Sequence, residues 1–118
     1  MTRLRDILQA QRERRERLRE IASVPLQEIA AMGLSRAEFM SVALMPAEQL
    51  ARMEAMARLN GCEPSRLDRD RDLQVAAALT CAGCEEQPRC RRALRDLAPG
   101  TGTDFCPNAP TYRMLAAE

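Results

Sequence analysis

The sequence predicts an all-α protein, and three observations lead to that class. Aromatic residues make up only 3% of the chain, with no Trp, one Tyr and two Phe, so a core has to be built from Leu, Met, Ala, Ile and Val. Few β-branched or aromatic runs are then left to form strands. Apolar residues recur at three- and four-residue spacings, and Pro and Gly fall where helices start and stop. The expected architecture is a small bundle of about five to seven short helices, with a four-cysteine metal site in its C-terminal half.

Residues 3–23 read as one helix with Leu4, Ile7, Leu8, Leu18 and Ile21 as its apolar stripe. Its middle, Gln11 to Arg17, is almost entirely charged, with Arg and Glu spaced to pair along an exposed helix. Residues 3–20 hold seven Arg against four acids, which makes this arm a candidate docking helix for a protein partner of acidic character. Pro25 suits the first turn of a short second helix and Gly33 its stop. Ser35 and Glu38 form a capping-box pattern ahead of Phe39, Val42, Ala43 and Leu44.

Pro46 opens a further helix that carries Leu50, Met53, Met56, Ala57 and Leu59 and ends at Asn60-Gly61. Its methionines read as core filler rather than copper ligands. Pro64 reads as a turn. Asp68 or Asp70 can cap the next helix, which presents Leu73, Val75, Ala76 and Leu79 and delivers Cys81. Pro88 opens a helix with Cys90, Leu94 and Leu97 that stops at Pro99-Gly100. The turn Gly100-Thr101-Gly102-Thr103 leads back to Cys106, and Pro110 starts a last helix with Tyr112, Met114 and Leu115.

A length of 118 residues argues for one domain spanning 1–118. Within it, residues 1–24 form the charged arm, 25–80 the helical core and 81–118 the cysteine region. The formal net charge of +1 argues against a general nucleic-acid binder, which carries a basic surplus. All 18 basic residues are Arg, which reads as genome bias before function. No apolar run is long enough to span a membrane, and the N-terminus lacks a signal-peptide apolar region, so a cytoplasmic location is expected. No small-molecule substrate is evident. Because the chain has no His, it lacks the commonest general base and every His-based nucleophile pair or metal site. A non-enzymatic role follows as the expectation.

Five cysteines in a reducing compartment point to metal ligands or free thiols rather than disulfides. Four of them follow the pattern Cys81-x2-Cys84-x5-Cys90-x15-Cys106. The C-x2-C pair sets two thiolates on one turn, and Cys90 falls near a helix N-terminus that favours a thiolate. Arg89, Arg91, Arg92 and Arg95 are expected to offset the charge of about −2 left on a four-thiolate centre. Cys81, Cys84, Cys90 and Cys106 are therefore the candidate cofactor and metal ligands, for a [4Fe–4S] cluster or for Zn2+. Structural zinc sites favour two close ligand pairs, whereas here only one pair is close. A cluster tolerates scattered ligands because each thiolate meets a different iron, and Cys106-Pro107 repeats the Cys-Pro ending of ferredoxin-type sites. Cys62 lies outside the pattern and reads as a buried or spare thiol.

The C-x2-C-x5-C spacing resembles the [4Fe–4S] sites of endonuclease III-type glycosylases and of WhiB-like regulators. In both families the fourth cysteine precedes the triplet, so the resemblance carries ligand chemistry and not function. A wider resemblance rests on Met53 through Leu59-Asn60-Gly61, Asp72-Leu73, the cysteine triplet, Leu94 and Phe105-Cys106-Pro107-Asn108-Ala109. Together these look like a family of small alphaproteobacterial proteins, grouped as a domain of unknown function, that share the closing Cys-Pro-Asn. That resemblance implies a cytoplasmic, helical, metal-binding protein. The resulting expectation is a small iron–sulfur protein in electron transfer or redox and oxygen sensing, accessory to a larger partner. The alternative is a zinc-stabilised helical adaptor.

Overall fold

The computed structural model describes residues 2–96 and 102–118. Among these residues there are eight helices and no strand: α1 (Thr2–Ser23), α2 (Leu26–Ala31), α3 (Arg36–Ala43), α4 (Ala47–Leu59), α5 (Pro64–Asp68), α6 (Arg71–Ala82), α7 (Gln87–Asp96) and α8 (Ala109–Ala117). The helix beyond the expected number is α5. Pro64 starts it rather than making a simple turn, because a missing N–H costs nothing in a helix's first turn. Leu97 and the Pro99-Gly100 stop, with Thr101, lie outside the described residues.

Local signals set most helix boundaries. Ser35 accepts from the Glu38 N–H at 3.1 Å while the Glu38 carboxylate accepts from the Ser35 N–H at 2.9 Å, a complete capping box. Of the two candidate caps for α6 it is Asp70 that serves, accepting from Leu73 N–H at 3.1 Å. Asp68 instead accepts from the Gln74 amide at 2.8 Å. Gly33 and Gly61 follow α2 and α4 with φ of 76° and 82°, the left-handed conformation that ends helices.

The chain divides into two compact units, 1–44 and 45–118. This boundary follows packing, whereas the divisions at 24/25 and 80/81 follow charge and cysteine content. In the first unit α2 packs on α3, and Ile29 is the buried residue. The expected apolar stripe of α1 is largely open: Leu4, Ile7 and Leu8 are 61%, 53% and 47% exposed. Phe39, Val42 and Leu44 are half-buried.

In the second unit α4 is central, packing on α5, α7 and α8, while α5 also meets α6 and α8. The core gathers Met53, Met56, Ala57, Cys62, Leu67, Ala77, Ala78, Ala93, Ala109, Tyr112 and Leu115. Leu50 and Leu59, expected on the apolar face of α4, are exposed instead. The inward face runs through Gln49, Arg52, Met53, Met56 and Asn60, spaced three and four apart, so it carries polar groups at positions that hydropathy alone assigns to solvent. On α6 and α7 the buried positions are the small Ala77, Ala78 and Ala93, while the larger Leu73 and Leu79 stay half-buried.

Candidate metal centre

All four cysteines of the spacing pattern line one cavity in the second unit. Its volume is about 30 Å³, and Arg52, Met53, Met56, Gln87, Phe105 and Tyr112 contribute to its wall. Three segments supply the thiols. Cys81 sits in the last turn of α6, Cys84 follows the Gly83 cap, Cys90 lies in the first turn of α7, and Cys106 is in the turn before α8. All five cysteines are free thiols.

Polar contacts hold each thiol-bearing segment. The Cys81 carbonyl, one of the acceptors a helix leaves unpaired at its C-terminus, receives the Cys84 N–H at 3.1 Å. It also receives the side-chain amides of Gln49 at 2.7 Å and Gln87 at 3.1 Å. Cys106 is fixed from two sides. Asn108 donates its side-chain amide to the Ala77 carbonyl at 2.8 Å, tying the Cys-Pro-Asn turn to α6. Upstream, Thr103 donates to Asn60 Oδ1 at 2.8 Å, and Arg113 donates to the same oxygen at 3.1 Å and to Thr103 Oγ1 at 2.8 Å. Arg113 also pairs with Asp104 at 2.8 Å.

N–H groups point at the sulfurs themselves. Glu86 N–H donates to Cys84 Sγ at 3.3 Å, the Gln49 amide reaches Cys81 Sγ at 3.8 Å, and the backbone N–H groups of Asn108 and Ala109 beside Cys106 act to lower its thiol. Such donors stabilise a thiolate. Burial nevertheless pushes the Cys81, Cys90 and Cys106 thiols up, and the neighbouring cysteines add to the shift. For Cys90 the expected help from the helix N-terminus is outweighed. Its own N–H is already bonded to Glu86 O at 2.9 Å, and desolvation dominates. Tyr112, fully buried, is likewise pushed up by burial and by the cysteines nearby.

The cations near the thiols are not the expected ones. Arg52 on α4 acts on Cys81 and Cys90, and Arg113 on α8 acts on Cys106. Arg89, Arg91, Arg92 and Arg95 are exposed, because α7 turns Ala93 inward and Cys90 partly so, leaving those four positions outside. Arg89 instead stacks on the cavity-lining Phe105, 4.8 Å from the ring centroid. Arg52 donates Nη2 to Gln87 Oε1 at 3.0 Å, while its buried Nε has no hydrogen-bond partner among the described residues. Gln49, Arg52, Gln87 and Tyr112 escape a search for ligand spacing; their signal is the helical register of Gln49 and Arg52 with Met53 and Met56.

Among the described residues, no group of three or more His, Cys, Asp or Glu side chains forms a ready-made site for a metal ion. A single tetrahedral zinc needs its sulfurs about 3.8 Å apart. The donor set still suits a thiolate-ligated centre: four thiols on one cavity wall, N–H groups directed at sulfur, and a buried cationic donor without an acceptor. Cys62 lies apart from it, fully buried, with its thiol donating to Glu63 O at 3.5 Å and pushed up by burial. No helix among the described residues is long and apolar enough to cross a membrane. No family model, curated protein or solved structure matches the chain.

Proposed function

We propose that this chain is a small iron–sulfur protein, with Cys81, Cys84, Cys90 and Cys106 ligating a [4Fe–4S] cluster. Its role would be electron transfer or redox and oxygen sensing in the cytoplasm, as an accessory to a larger protein. The observation that supports this reading is the gathering of four thiols around one cavity whose wall also offers N–H donors to sulfur. A bound cluster supplies one-electron chemistry. The chain's own residues have distinct tasks. The four cysteines bind, Gln49 and Gln87 hold the Cys81 turn, Asn108 holds the Cys106 turn, and Met53, Met56, Phe105 and Tyr112 limit water. The exposed apolar residues of α1, set among arginines, would serve the partner. The resemblance to the alphaproteobacterial four-cysteine family belongs to the same proposal.

Anaerobic purification followed by metal and sulfide analysis tests it. The expected result is a brown protein with about four iron and four sulfide per chain. One zinc per chain without sulfide would replace this reading with the zinc-stabilised adaptor. Protein that takes up neither metal would refute both.

A further inference from the structure

The inward face of α4 brings one guanidinium to the wall of the thiol-lined cavity. Arg52 is held there by a relay of side chains. Its Nη2 donates to Gln87 Oε1 at 3.0 Å, Gln87 donates to the Cys81 carbonyl at 3.1 Å, and Gln49 donates to that same carbonyl at 2.7 Å. The relay ties the guanidinium to the Cys81 turn and leaves Nε buried without a partner among the described residues. A buried cationic N–H without an acceptor is costly, and such a group calls for an explanation. Arg113, the arginine acting on Cys106, is already committed to Asp104, Thr103 and Asn60. Arg52 Nε is thus the donor left over at this wall.

We propose that Arg52 is a tuning residue whose Nε–H donates to a sulfur of the cysteine-bound centre, either a thiolate or an inorganic sulfide. The inference rests on the iron–sulfur reading above. One-electron reduction makes the centre more negative by one charge. A fixed cation and an N–H directed at sulfur stabilise the reduced form more than the oxidised form, and so raise the reduction potential. Glutamine at this position removes the charge and leaves only a neutral amide N–H in place of the Nε–H of the guanidinium. Lysine retains charge but places no donor at the Nε position.

The test reconstitutes wild type, R52Q and R52K anaerobically with iron and sulfide, measures both contents, and titrates each protein with dithionite as the one-electron donor. R52Q is expected to retain wild-type iron content with a midpoint lowered by a tenfold change in the reduction equilibrium, about 59 mV. R52K is expected to shift in the same direction by less. A wild-type midpoint in either iron-loaded variant overturns the role of Arg52 and leaves the iron–sulfur reading standing. Wild type that binds no iron and sulfide overturns the iron–sulfur reading, and this inference with it. If R52Q does not fold, the R52K midpoint decides.

Discussion

Cys62 shares no part of the cavity wall, although it is the most thoroughly buried of the five cysteines. Replacing Cys81, Cys84, Cys90 or Cys106 with Ser should each sharply reduce iron retained after desalting, whereas Cys62→Ala should retain it. Alanine suits Cys62 better than serine, because a hydroxyl at a fully buried position adds a desolvation cost of about 1–3 kcal/mol unrelated to metal. Iron loss from Cys62→Ala equal to that from Cys90→Ser would show that the ligand set is wrong. The same thiol has a pH signature. Burial raises it above its ordinary value of 9.0 in the folded chain. The unfolded chain therefore ionises first, so the stability Cys62 contributes is present below that value and lost above it. Denaturant titrations at about pH 8 and 10 should show a larger alkaline loss in wild type than in Cys62→Ala. Parallel pH profiles would contradict this.

At the scale of elements, two arrangements govern the site: the polar face of α4 and the clamp on the turn before α8. Asn108 is buried and joins α8 to α6 through the Ala77 carbonyl, while also meeting Tyr112. Asn108→Ala should cost about 1–3 kcal/mol in unfolding free energy by removing that buried amide. It should also speed iron release to a chelator, because Cys106 stands two positions away. Unchanged release would mean that Thr103, Asn60 and Arg113 hold the turn unaided. The α1 helix behaves differently. No cysteine lies in it, and its charged middle is exposed throughout. Deleting residues 1–20 should leave iron content near wild type while weakening capture of the partner protein. Loss of iron or precipitation of the truncated chain would count against α1 as a docking arm.

For the whole molecule, the division at 44/45 places every cysteine in the second unit, so any metal bound there is linked to the folding of that unit. The core around the cavity is modest and leans on Met53, Met56, Tyr112 and small alanines. Stripping iron with a chelator under anaerobic conditions should lower the thermal midpoint of the protein and broaden its transition. Melting curves before and after chelation check this; coincident curves would show that the core folds independently of the metal.

The sequence by itself determined the helical class and most boundaries. The signals responsible act within a few residues: the Ser35–Glu38 box, the Asp70 cap, Pro25, Pro46, Gly33 and Gly61. It also singled out the four cysteines, because ligand spacing is written along the chain. Tertiary structure alone decided that the Cys81, Cys84, Cys90 and Cys106 segments meet at one cavity, and that Arg52 and Arg113 rather than the arginines of α7 act on them. It likewise turned Gln49 and Arg52 inward while leaving Leu50 and Leu59 exposed. Hydropathy ranks residues one at a time, whereas burial depends on which face a neighbouring helix covers. On α4, packing against α7 and α8 made that choice.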